Sequence, residues 1–171
     1  MHIPDGFLDT KTAVTAATLA ATGVGFSLRR VRREMNPRTA PLMGLAAAFV
    51  FVAQMLNFPV AGGTSGHLMG AVLAAVLLGP GAAVIVLTAV LVVQSLLFAD
   101  GGILALGANV FNMAVVGSVG GYAIYSLVWR VVGGERGRLL GAAFAAWCST
   151  VLASVFCAGE LAWSGTVSWS L

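Results

Sequence analysis

The 171 residues are 59% hydrophobic and only 9% charged, with a mean hydropathy of +0.97, which excludes a soluble globular domain and identifies an integral membrane protein. A helix needs about 20 apolar residues to cross the hydrocarbon, so this length allows six or seven crossings in one compact bundle, with no soluble domain. The net charge of +3 resides in arginines between spans, where it orients the chain in the lipid bilayer; nucleic acid is not implied.

The chain begins with a polar tail, Met1-His2-Ile3-Pro4-Asp5-Gly6-Phe7-Leu8. Pro4 and Asp5-Gly6 forbid a regular helix and favour turns, and Asp9 or Thr10 can cap the helix that follows. No basic residue and no small-residue cleavage site mark it as a secretory signal peptide. The α-amine of Met1 and the amide nitrogen of His2 close a five-membered ring on a metal, and that nitrogen with His2 Nδ1 closes a six-membered one. A planar set containing a deprotonated amide suits Ni(II) or Cu(II), and less firmly Co(II), because ions with no planar preference gain little from displacing the amide proton. The chelate requires an unblocked Met1, and the bulky second residue keeps the initiator methionine in place. One planar position remains, and the second of the chain's two histidines is His67. The alternative reading is a solvated tail histidine and a hydrogen-bonded interface histidine.

Thr12 to Leu28 is the first span. Ala13, Ala17 and Ala21 repeat along it at four-residue spacing, a small-residue stripe that lets helix backbones approach closely in lipid, within the bundle or against another subunit. Arg29, Arg30, Arg32, Arg33 and Arg38 then make a basic loop that the positive-inside rule places in the cytoplasm, with Met1 outside. Pro41 to Phe58 returns outward, residues 61–67 form an external loop, and His67 emerges on the side of His2. His67 to Leu78 is a short third helix, and Gly79-Pro80-Gly81 turns into a fourth, Ala82 to Phe98. After the external turn Asp100-Gly101-Gly102, Ile103 to Trp129 is a long, glycine-interrupted fifth helix. Arg130, Arg136 and Arg138 mark a second cytoplasmic loop. Leu139 to Cys157 is the sixth span, which Glu160 ends outside. Residues 159–171, with Trp163 and Trp169, read as an interfacial segment or the start of a further helix. The expected fold is thus an all-α membrane domain of about six transmembrane helices: tail 1–9, bundle 12–158 and terminal segment 159–171.

Five amides, Gln54, Asn57, Gln94, Asn109 and Asn112, interrupt the outer halves of the spans. They serve either as interhelical hydrogen-bond glue or as a polar floor whose members orient His67 and the tail. Cys148 and Cys157 share one apolar span without a C-x-x-C, which favours buried packing residues over a disulfide or zinc site. There is no P-loop and the one lysine is Lys11, so the chain binds no ATP in that manner and is not expected to be an enzyme. No acidic residue lies within a predicted span, so energy for moving an ion must come from partners.

The N-terminal octad, the Gly63-Thr64-Ser65-Gly66-His67-Leu68 loop and the Gly107-Ala108-Asn109-Val110-Phe111-Asn112-Met113 stretch resemble the substrate-capture subunit of cobalt/nickel energy-coupling-factor transporters, the CbiM/NikM family. The resemblance covers the whole chain in order. It implies a multi-pass protein of the cell inner membrane that takes Ni²⁺ or Co²⁺ as transported substrate through Met1, His2 and His67. Implied partners are a transmembrane coupling protein, paired cytoplasmic ATPases and a small accessory membrane protein. The resemblance also favours the intersubunit reading of Ala13, Ala17 and Ala21. Family members continue past the position of Leu171 with a further helix, so this chain reads as a fragment or a reduced version. The competing classes are a membrane electron carrier using His2 and His67 as axial haem ligands, and an assembly subunit with no metal site.

Overall fold

The computed structural model describes residues 2–34, 36–60 and 64–168. Six helices follow one another: α1 Thr10–Glu34, α2 Thr39–Met55, α3 Ala71–Leu78, α4 Pro80–Leu97, α5 Leu106–Val132 and α6 Gly134–Trp163. Three of them, α4, α5 and α6, are long and apolar enough to cross a membrane. At 8 residues, α3 is only about 12 Å long at 1.5 Å per residue, too short to cross alone.

The helix boundaries follow local chemistry. The Asp9 carboxylate accepts from the Thr12 N–H at 3.1 Å and so caps α1. Gly79, at φ +86°, separates α3 from α4, and Pro80 opens α4 where its missing N–H costs nothing. Within α5, residues Val110–Gly120 form a wide π-helical run. Gly117 and Gly121 on this helix lie against Met69 and Val72 with no room for a Cβ. A side chain at Gly121 would press on Val72 of α3, and one at Gly117 would displace the Met69 thioether.

Helix α4 runs through the centre. Its Ala83, Val84, Leu87 and Leu91 pack with Val50 of α2, Ala74 and Ala75 of α3, and Val110, Met113 and Ala114 of α5. On α1 the buried small residues are Ala16, Ala20 and Ser27. The stripe read from the sequence lies beside them: Ala13 is half-buried, Ala17 backs onto Gly107, and Ala21 is exposed.

The arginines expected in two loops mostly lie in helices, Arg29, Arg30, Arg32 and Arg33 at the end of α1, Arg130 at the end of α5, and Arg136 and Arg138 at the start of α6, and Asn57 lies past the end of α2. Two further features differ from the sequence reading. Phe58–Val60 and Thr64–Gly66 pair as an antiparallel hairpin, β1 and β2, with Phe58 opposite Gly66. Helix α6 continues past Cys157 to Trp163, so Glu160 lies inside the last helix instead of ending it. Residues 164–168 then fold back onto the start of the chain, where the Ser164 hydroxyl donates to Asp9 and that of Thr166 to the Phe7 carbonyl. Trp169 lies outside the described residues.

The helices alternate in direction, which gathers the tail, the hairpin, the α4–α5 turn and the end of α6 at one end of the bundle. Arg30 and Glu34 line a cleft with the α3–α4 turn at the opposite end. There Arg130 stands in the last turn of α5, and the Arg138 guanidinium lies 5.1 Å from the Trp129 ring centre.

Candidate metal centre

The tail is docked by main-chain bonds and one buried side chain. Asn109 clamps Ile3 from both sides: its Oδ1 accepts from the Ile3 N–H at 2.8 Å, and its Nδ2 donates to the Ile3 carbonyl at 3.1 Å. The Gly102 N–H donates to that same carbonyl at 2.9 Å. The Asp5 carboxylate accepts from the Ile103 and Leu104 N–H groups at 3.1 and 2.8 Å. The Ile3 side chain is 0% exposed, packed among Ala16, Ala105, Ala108, Cys157 and Leu161. Gly101 and Gly102 make this approach possible, because a Cβ on Gly101 would crowd Asn109 and His2, and one on Gly102 would overlap Asp5.

Docking the tail buries His2 to 3% exposure and sets its ring against that of His67, with centroids 4.6 Å apart and planes inclined by 29°. His67 sits in the extended stretch between β2 and α3. Its Nδ1 is 2.9 Å from the Leu68 carbonyl; a carbonyl only accepts, so Nδ1 carries the proton. Burial is the main cause that pushes His67 down from 6.5 to about 4. The ring is therefore neutral near pH 7, with Nε2 as its acceptor nitrogen, the form in which an imidazole ligates a metal. His2 Nδ1 lies 2.8 Å from Asp100 Oδ1, and this hydrogen bond holds the Asp100 carboxyl below its ordinary value. His2 Nε2 and Asp100 Oδ2 are both buried without a partner among the described residues.

Met1 lies outside the described residues. Of the amides, Asn109 holds the tail, and Asn57 lines with His2, Asp5, Ser95 and Asp100 a cavity of about 480 Å³. Gln94 lies under the α4–α5 turn: its carbonyl accepts the Asp100 N–H at 3.1 Å, while its side chain is 0% exposed and unpartnered among the described residues. Asn112 points elsewhere, donating to Glu160 Oε2 at 2.7 Å. Gln54 donates to the Met69 carbonyl at 2.7 Å, just past His67. Among the described residues no group of three or more His, Cys, Asp and Glu side chains is placed to hold a metal ion. A metal here would need donors beyond a cluster of those side chains.

Three residues escaped the sequence reading. Asp5 and Asp100 were read only as turn formers, and Glu160 as a helix stop. The signal for Asp100 lay in its adjacent glycines, which let a second segment come close.

The family model described as CbiM, cobalt uptake substrate-specific transmembrane region, matches residues 2–170. The chain is 43% identical over 172 residues to a putative fused nickel transport protein NikMN of Archaeoglobus fulgidus, covering 100% of this chain and 55% of that one. It is 45% identical over 164 residues to the fused nickel transport protein NikMN of Rhodobacter capsulatus, covering 94% and 46%. It therefore spans about half the length of these two relatives. A crystal structure of a truncated transition metal transporter superposes with a TM-score of 0.89 at 38% identity, over 94% of this chain and 74% of that one.

Proposed function

The chain belongs to the CbiM family of cobalt uptake substrate-specific transmembrane regions, and from that premise we propose that it is the substrate-capture membrane subunit of a Ni²⁺ or Co²⁺ importer. The ion is taken by the Met1 amine, the His2 amide nitrogen and Nδ1, and His67 Nε2, on the side of the membrane opposite the arginine-rich helix ends. The single observation that carries this reading is the stacked pair of His2 and His67, 4.6 Å apart, brought together by a tail whose docking fixes the main chain next to His2. His67 adds support by presenting Nε2 in the neutral, acceptor form.

The haem alternative is not favoured by the same geometry. Axial imidazoles stand on opposite faces of a macrocycle with their nitrogens aimed at one iron, whereas these rings lie face to face with no space for a porphyrin between them. The names of the relatives point to nickel and cobalt transport as well. The four-nitrogen planar set leans towards Ni²⁺, because the amide must lose its proton.

ATP hydrolysis belongs to separate partners in this reading: cytoplasmic ATPases, coupled through a transmembrane protein, with a small accessory membrane protein. The exposed side of α1 around Ala21, continued by Thr18 and Thr22, is the surface we assign to the coupling protein, Ala13 and Ala17 of the same stripe lying nearer the bundle. The Thr18 and Thr22 hydroxyls bond back to the Val14 and Thr18 carbonyls at 2.8 Å, so this side needs no outside polar partner and suits close helix contact.

The test is Ni²⁺ and Co²⁺ calorimetry on protein with its native N-terminus beside a version carrying one extra residue before Met1. The extension leaves every side chain in place and moves only the amine. Binding should collapse in the extended version; equal binding in both removes the amine from the site and the reading with it.

A further inference from the structure

The proposed chelate makes a demand that the observed pose of His2 does not meet. It needs Nδ1 for the ion, because only Nδ1 closes the six-membered ring with the His2 amide. Nδ1 is here hydrogen-bonded to Asp100 Oδ1 at 2.8 Å.

The same pair offers a second arrangement. His2 Nε2 and Asp100 Oδ2 are both buried without partners among the described residues, a costly state for two polar atoms of adjacent side chains. A half-turn of the imidazole about Cβ–Cγ exchanges Nδ1 with Cδ2 and Nε2 with Cε1 while the ring keeps its plane. The stack on His67 is preserved. Nε2 arrives on the edge facing Asp100, and Nδ1 moves to the opposite edge.

We propose that Asp100 is a positioning residue for ion capture: it takes the Nε2–H of His2, which fixes the tautomer, releases Nδ1 to the ion and raises the basicity of the ligating nitrogen. This inference rests on the chelate reading above. A carboxylate behind a ligating histidine commonly serves in this way. Asp100 is suited to the part because it is itself held. Its N–H is bonded to the Gln94 carbonyl at 3.1 Å, and it sits on the turn whose glycines touch the tail. Its place on the wall of the cavity that His2 also lines gives the arriving ion room. That cavity, about 480 Å³, exceeds the ~180 Å³ of six waters at ~30 Å³ each, so a hydrated divalent ion can enter and lose water beside the carboxylate.

The experiment is Ni²⁺ titration of the full chain with its native N-terminus, as wild type, His2→Ala, Asp100→Ala and Asp100→Asn. Asp100→Ala should weaken binding about 10–100-fold, and Asp100→Asn, which keeps an acceptor oxygen, should recover part of the loss. A mere turn-stabilising role is separated by ¹⁵N-histidine NMR of the Ni²⁺-saturated protein, since planar Ni(II) is diamagnetic. His2 should show a protonated Nε2 whose proton moves upfield in Asp100→Asn, and a metal-bound Nδ1. Unchanged affinity in both Asp100 variants, or a protonated Nδ1 with Nε2 on the metal, overturns the proposal. Should His2→Ala itself bind Ni²⁺ like wild type, the chelate reading beneath it is what fails.

Discussion

The two arms that bring the histidines together are secured in opposite ways. The His2 arm is tied at several points: Asn109 and Gly102 on the Ile3 main chain, the Ile103 and Leu104 amides on Asp5, and the Ile3 side chain in an apolar socket. The His67 arm is fastened differently: its hairpin is open, with Phe58 and Val60 62% and 44% exposed, and the described ties converge on Met69, which is 5% exposed in the central core and whose carbonyl accepts from Gln54. The lesson is one of redundancy. Loss of one tie should leave the tail docked, whereas the described ties of the His67 arm meet at one residue, Met69.

The largest effects should ignore this asymmetry, because both histidines are proposed ligands of the ion. His2→Ala and His67→Ala should each weaken Ni²⁺ binding by more than about 100-fold, beyond the range usual for outer-shell residues. A deficit confined to one of them would show that the arms contribute unequally to the chemistry as well as to the structure.

Ile3→Ala comes next. Truncating a buried isoleucine costs about 2–5 kcal/mol, and part of the loss falls on tail docking, since Ile3 shares an apolar cluster with Ala16 of α1, Ala105 just before α5, Ala108 of α5, and Cys157 and Leu161 of α6. Ni²⁺ affinity should drop roughly 10–100-fold, with the absorption spectrum at saturation unchanged because no donor is removed. A changed spectrum would mean that Ile3 shapes the chelate itself.

The comparison is sharpest between Asn109→Ala and Gln54→Ala. Each removal strands one main-chain group at about 1–3 kcal/mol, the Ile3 N–H or the Met69 carbonyl, because the Ile3 carbonyl keeps its bond from Gly102. Asn109 makes two bonds and Gln54 one, yet the tail has other ties, so the two variants should weaken Ni²⁺ binding to a similar extent, about tenfold. If Asn109→Ala is far the worse, the tail is not redundantly held.

The six helices were legible in the sequence because each is an apolar run bounded by arginines, prolines or glycines. Local patterns carried no information about contacts made at long range. Helix α6 outruns its apparent stop because Glu160 meets Asn112 of α5, and Cys157 and Leu161 pack on Ile3. The hairpin escaped notice because Phe58-Pro59-Val60 has a proline at its centre, ordinarily a mark against a strand. At the site, His2 and His67 stood out as the two histidines of the chain, but Asp100 read as a turn residue because its partner lies 98 positions away. Asn109 and Asn112, three residues apart on one helix, were indistinguishable until the wide turns of α5 were seen to aim one at the tail and the other at Glu160.

The smallest expected effect concerns pH and returns to the His67 arm. His67 has a folded value of about 4 against an ordinary 6.5, with burial as the first cause. Between those values the unfolded chain binds the proton that folded His67 refuses. Its contribution to stability is therefore fully present above pH 6.5 and is lost as the pH falls towards 4. The melting temperature should decline across that window, and the decline should be shallower by a few degrees in His67→Gln, which cannot be protonated there. Because β1 of this arm is exposed at Phe58 and Val60 whereas Ile3 is buried, the destabilisation should appear as faster amide exchange in residues 58–60 and 64–66 than at Ile3. Exchange that rises first at Ile3 would reverse the ranking of the two arms.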